Sequence, residues 1–162
     1  MPTQEILVEA VSDDEVLRDF FSRGGSIRML SGVASDDLTT LHNYACQLFD
    51  AGELDAARNY FYLLAQVDHW RFEYWLGLGM CQQRLGAHQE AIFCFCRAGM
   101  IEVEDPRSSY FAGISYHLTG NQEYACKAFK AAIRWCAARP QYQELRQSVE
   151  QLLAQCEQEK KA

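Results

Sequence analysis

Ala91-Ile92-Phe93-Cys94-Phe95-Cys96-Arg97-Ala98 decides the fold, because its small–aromatic–small spacing recurs in register twice more. Ala57, Phe61 and Leu64 stand 34 positions before Ala91, Phe95 and Ala98, and Ala125, Phe129 and Ala132 stand 34 positions after them. Each leading alanine has a small partner twelve positions upstream, at Ala45, Gly79 and Gly113. A glycine also keeps the register, at Gly52, Gly86 and Gly120. This period predicts stacked helix–turn–helix units, each burying its apolar face on the next.

The repeats run over 38–71, 72–105 and 106–139. The expected fold is all-α: a tetratricopeptide-repeat solenoid of three helix pairs, with an N-terminal helical segment (1–37) and a C-terminal capping helix (140–162). In each repeat the first helix runs to the glycine, which supplies a left-handed turn, and the second carries the alanine–phenylalanine series. The small residues of the two helices are expected to face each other, with Phe61, Phe95 or Phe129 filling the gap toward the following repeat. Asp105 and Pro106 fit the N-cap and first-turn positions of the third repeat. Beyond Pro140, Leu145, Val149, Leu152, Leu153 and Cys156 form one apolar stripe, as a helix closing the open end of a solenoid requires.

Residues 1–11 show little pattern. Ser12-Asp13-Asp14-Glu15 has the form of a capping box, and the helix it opens carries Val16, Leu17, Phe20 and Phe21 before Gly24-Gly25 ends it. That face either packs on the first repeat or forms a dimerisation surface. A short segment, residues 26–30, leads to Gly32, and Ser35-Asp36-Asp37 is expected to cap the next helix.

The chain has 162 residues and a net charge of −7, with eight acids against three arginines in residues 1–37. This balance disfavours a nucleic-acid phosphate track. No targeting segment and no apolar run near the roughly 18 residues of a membrane span is present, so the expected location is cytoplasmic, without membrane insertion. Seven cysteines, an odd number, fall mostly at small repeat positions and read as compact hydrophobes. Cys94 and Cys96 lack a second pair at zinc-ligand spacing, so no metal or cofactor is expected.

The first helix of each repeat lines the concave side of such a solenoid. Counting its second, fifth, ninth and twelfth positions gives Thr39, His42, Cys46 and Phe49, then Glu73, Leu76, Met80 and Gln83, then Arg107, Tyr110, Ile114 and His117. Leu76, Met80 and Ile114 also fit ordinary core. The mixed, largely apolar lining suits an extended peptide with apolar anchors. A clamp for a C-terminal carboxylate is not expected, since its positions hold His42, Cys46, Gly77, Arg107 and Phe111. His42 and Cys46 share a helix face, but no third group orients them, and neither phosphate loops nor hydrolase motifs occur. The chain reads as a binding protein, not an enzyme. His69 is placed to bond a turn.

Four segments carry a family likeness: residues 24–30 (Gly24-Gly25-Ser26-Ile27-Arg28-Met29-Leu30), Asp68-His69-Trp70, residues 75–81 (Trp75-Leu76-Gly77-Leu78-Gly79-Met80-Cys81) and Asp105-Pro106-Arg107. In this order they resemble the class II chaperones of type III secretion systems, the LcrH/SycD type, over about residues 14–155. The resemblance implies a cytosolic bacterial chaperone that holds hydrophobic translocator proteins by an extended segment in its concave groove. It implies a homodimer in the absence of client, and for some members action with an AraC-type transcriptional activator. By position, the family's groove aromatics fall on His42, Cys46 and Phe49, with Leu54 and Val67 completing the first-repeat pockets. Only Phe49 keeps an aromatic ring. The rival reading is a generic repeat adaptor that scaffolds soluble proteins.

Overall fold

Helices alternate with tight turns throughout the computed structural model, which describes residues 12–161. The first eleven residues of the expected N-terminal segment lie outside the described residues. Helix α1 (Asp13–Ser22) and the short α2 (Ile27–Ser31) precede three pairs: α3 (Ser35–Asp50) with α4 (Leu54–Val67), α5 (Phe72–Arg84) with α6 (His88–Ile101), and α7 (Pro106–Leu118) with α8 (Gln122–Cys136). A 3-10 turn at Pro140–Tyr142 leads into α9 (Gln143–Lys161). From α3 onward each long helix packs on the next, and α3, α5 and α7 also adjoin one another. Among the described residues there is no strand, and no helix is long and apolar enough to cross a membrane.

The three turn glycines have φ of 82°, 82° and 79°, the left-handed geometry that glycine adopts without a Cβ clash. The close approach within a pair works differently from the expectation. Gly79 faces Phe95, four residues beyond Ala91, and a Cβ there would lie 2.5 Å from the ring edge. Gly113 meets Phe129 in the same way, also at 2.5 Å. The small residue of the first helix therefore opposes the aromatic of the second, because a bare backbone is what admits a ring at that depth. The expectation toward the following repeat does hold for two rings. Phe61 reaches Gly77 of α5, where a Cβ would meet it at 2.3 Å, and Phe95 stacks on Phe111 of α7 with centroids 5.6 Å apart.

Helix starts follow local chemistry. Ser12 and Glu15 form the capping box reciprocally, and the Asp105 carboxylate accepts from the Arg107 amide at 2.9 Å. Ser35 does not cap α3; it is the first helical residue, and its hydroxyl accepts from the Arg28 guanidinium instead. The N-terminal segment is tied to the first repeat through the junction after α4. Arg28 pairs with the buried Asp68 carboxylate at 3.2 Å, and the Trp70 indole donates to the Gly24 carbonyl at 2.7 Å. The His69 carbonyl accepts from the Trp75 indole at 2.9 Å, holding that same turn. On α1, Val16, Leu17 and Phe21 stay exposed, whereas Phe20 folds back against Gly25.

At the other end α9 lays Val149 and Cys156, both fully buried, against Ala125, Phe129 and Ala132 of α8. This covers the apolar face that the last repeat would leave open.

Gly79→Ala tests the ring insertion. Alanine is the better helix former, but Phe95 is wedged between α5 and Phe111, so the substitution is expected to cost about 1–3 kcal/mol through overpacking. Urea denaturation reads this directly, and an unchanged or raised midpoint would contradict it.

Candidate peptide-binding groove

Positions three and four apart on a helix share a face, and here three such faces converge. His42, Cys46, Phe49 and Asp50 of α3, Glu73, Leu76, Gly77 and Met80 of α5, and Arg107 and Phe111 of α7 line a cavity of about 400 Å³, with Phe61 of α4 at its floor. Five of the residues expected from sequence meet here: His42, Cys46, Phe49, Leu76 and Met80. Glu73 and Arg107, which counting also turned inward, join them.

The remaining candidates lie elsewhere. Gln83 donates its amide to the Phe111 carbonyl at 2.8 Å and to Ser115 Oγ at 2.7 Å, fastening α5 to α7. Tyr110 and Ile114 pack on the cluster that α8 and α9 form. His117 Nδ1 lies 2.9 Å from Gln122 Oε1 and 3.7 Å from a Glu159 carboxylate oxygen of α9. Leu54 and Val67, at the two ends of α4, are half-buried outside this cavity, Val67 against the main core. In α7 the faces are thus divided: Arg107 and Phe111 look to the groove, while Tyr110, Ile114 and His117 face α8 and α9. Sequence reasoning left out Asp50 and Phe61, and named Gly77 and Phe111 only at the positions of a carboxylate clamp. A helical step of four from Cys46, Glu73 and Arg107 reaches three of them, whereas Phe61 comes from the second helix of its repeat.

Glu73 and Arg107 at the rim are already engaged. Arg107 donates to Glu73 at 2.8 Å and to Asp105 at 2.9 Å, and its guanidinium lies 4.9 Å from the centre of the Phe72 ring. Burial raises the Asp105 carboxyl pKa, but the hydrogen bonds and charge of Arg107 outweigh it and hold the group below the usual range. An arginine matched by two carboxylates has no free fork for a peptide carboxylate. Arg84 lies over the Phe49 ring at 4.8 Å, so this aromatic wall is also fixed.

His42 sits between the rings of Phe61 and Tyr74, at centroid distances of 5.8 and 5.5 Å, and its Nε2 is 3.7 Å from Cys46 Sγ. Burial pushes the imidazole pKa down, against an opposing pull from Glu73. Burial also raises the Cys46 thiol, reinforced by Asp50 and Glu73. The pair therefore stays a neutral imidazole beside a neutral thiol, which is polar lining and not an activated nucleophile.

Comparison with known proteins agrees with this geometry. A family model described as tetratricopeptide repeat matches residues 72–98, the α5–α6 pair. Low calcium response locus protein H of Yersinia pseudotuberculosis is 28% identical over 137 residues, covering 85% of this chain and 82% of the relative. The crystal structure of a type III secretion complex from Aeromonas hydrophila superposes with a TM-score of 0.88 at 29% identity, covering 90% of this chain and 97% of that one. The Yersinia enterocolitica chaperone SycD, solved with a peptide of the translocator YopD, gives a TM-score of 0.76 at 26% identity, covering 78% and 97%. SycD has also been solved as an alternative dimer.

In sequence and fold the chain is similar to the class II type III secretion chaperones of the LcrH/SycD type. Three of the four segments that carried this likeness in sequence prove to be joints of the fold. Residues 24–30 and 68–70 meet through Gly24–Trp70 and Arg28–Asp68, and Asp105-Pro106-Arg107 ties α7 to Glu73 of α5. Of these joints, the Arg107–Glu73 pair links two of the groove-lining helices, α5 and α7.

The depressed His42 pKa carries a sign. Its folded value lies below the unfolded 6.5, so the stability from keeping the ring neutral is present above pH 6.5 and is lost as pH falls through 6.5 toward the folded value. An NMR titration of the imidazole should give a midpoint below 6.5, and His42→Gln should flatten the fall in urea midpoint over that window. A midpoint at or above 6.5 would show that the ring is solvated.

Proposed function

We propose that this chaperone holds an extended apolar segment of a hydrophobic type III translocator protein in the groove between α3, α5 and α7. The observation that carries the reading is the lining. Phe49, Leu76, Met80 and Phe111 give an apolar trough, and Glu73 and Arg107 at its edge pair with each other. Each apolar side chain buried there contributes roughly 1.5–3 kcal/mol, so two or three anchors suffice for a stable yet reversible complex. SycD, a relative of similar fold, was solved with a translocator peptide, which supports placing the client segment here.

The mechanism needs no covalent step. A translocator's membrane-inserting segments aggregate in water or enter the wrong bilayer. Covering part of that surface with an acidic, charged-surfaced solenoid in the cytoplasm keeps the client dissolved until export. Release is local dissociation. Without client, the exposed Val16, Leu17 and Phe21 on α1, with the partly covered Phe20, supply a self-association face.

Phe49→Ala combined with Met80→Ala is expected to weaken client binding about 30-fold or more while leaving far-UV circular dichroism unchanged. Undiminished co-purification of the translocator with that double variant would overturn the assignment of the groove. Rescue of an otherwise insoluble translocator on co-expression distinguishes a chaperone from an adaptor, whose partner is soluble alone. Separately, Leu17→Glu with Phe21→Glu should convert the free chaperone to a monomer on size-exclusion with light scattering. A dimer that persists would place the self-association face elsewhere.

A further inference from the structure

Cys126 on α8 and Cys156 on α9 are both buried, and their Sγ atoms lie 2.9 Å apart. This is closer than two unbonded sulfurs usually rest, and a movement of roughly 0.9 Å would bring them to bonding distance. They stand 30 residues apart in sequence and join the last repeat to the helix that caps it. The other five cysteines are free as well, and Cys96 is the exposed one among them. We propose that Cys126 and Cys156 form a redox modification site, a reversible disulfide that staples the capping helix α9 onto the third repeat when the chain meets a low-molecular-weight disulfide such as glutathione disulfide.

The exchange balances without any other reactant. The Cys126 thiolate attacks one sulfur of the small disulfide, breaking its S–S bond and releasing one thiol. The Cys156 sulfur then attacks the Cys126 sulfur of the mixed disulfide, forming the Cys126–Cys156 bond and releasing the second thiol. The two protons of the cysteines end on the two released thiols, and the small disulfide takes up the two electrons.

Cys126 is the entry point, being 6% exposed against 0% for Cys156. Burial, with its neighbour's thiol and the carboxylates of Glu159 and Glu157, pushes the Cys156 pKa up to about 12, which keeps it protonated and makes it a poor first attacker. It enters second because its sulfur already lies 2.9 Å from that of Cys126. Its thiol also contacts the Gln122 carbonyl at 3.4 Å and Oε1 at 3.1 Å, which holds it on the α8 side. Access comes from the last turn of α9, held by the exposed pairs Lys130–Glu157 at 3.0 Å and Gln122–Glu159 at 2.8 Å. Pairs of that kind contribute little and open readily. In a reducing compartment the site rests as the dithiol.

The test uses the full chain carrying Cys96→Ser, which removes the exposed competitor. The folded protein is incubated with glutathione disulfide, quenched with an alkylating agent and digested with trypsin. Segments 108–127 and 147–160 each contain one cysteine, so a linked pair of these two is unambiguous. The expected result is that linked pair, abolished by reduction, together with a melting temperature raised by roughly 5–10 °C. Cys126→Ala and Cys156→Ala, treated alike, should show no such rise. Absence of the link in the folded protein, its appearance only in urea, or a link between other cysteines would overturn the proposal.

Discussion

Where Phe95 and Phe129 lie against Gly79 and Gly113, the helices of a pair approach until no Cβ fits between ring and backbone. The pitch of the solenoid follows from that distance. Phe61 against Gly77 and Phe95 against Phe111 extend the same device from one repeat to the next, so the spacing of α3, α5 and α7 is set from behind, by rings on α4 and α6. Because protein interiors are packed as densely as organic crystals, a ring in such a slot has no freedom to retreat. The width of the groove is therefore a property of the core.

Most polar groups of the groove are already engaged within the chain. Arg107 is shared between Glu73 and Asp105, Arg84 lies over Phe49, and His42 and Cys46 are held neutral by burial. A surface on which the Arg107 cation is already matched by Glu73 and Asp105 favours apolar anchors over an anionic ligand, which would have to displace pairs already made. This suits the proposed task of covering hydrophobic segments of a translocator. It also explains why smaller or more polar residues at positions 42 and 46 are compatible with a groove: Phe49, Phe61 and Phe111 supply the aromatic walls.

The two ends of the solenoid are finished in different ways. At the C-terminal end α9 covers the last repeat with fully buried side chains. At the N-terminal end α1 is attached mainly through its following glycines, by Trp70 and Arg28, and leaves its own apolar face uncovered. One end is closed by the chain itself, while the other leaves Val16, Leu17 and Phe21 exposed.

Much of this was legible in the sequence. The 34-residue period gave the helix pairs, since register and turn glycines depend only on local backbone geometry, and the capping residues at Ser12 and Asp105 marked helix starts correctly. Counting helical positions also found His42, Cys46, Phe49, Leu76 and Met80, because one face of a regular helix is fixed by its own periodicity. Tertiary structure decided which faces meet. It placed Tyr110, Ile114 and His117 toward α8 and α9, made Gln83 a bolt between α5 and α7, gave Ser35 to Arg28, and brought Cys126 within 2.9 Å of Cys156. Those outcomes depend on how successive repeats rotate and on what the capping helix covers, distances that no spacing along a single helix encodes.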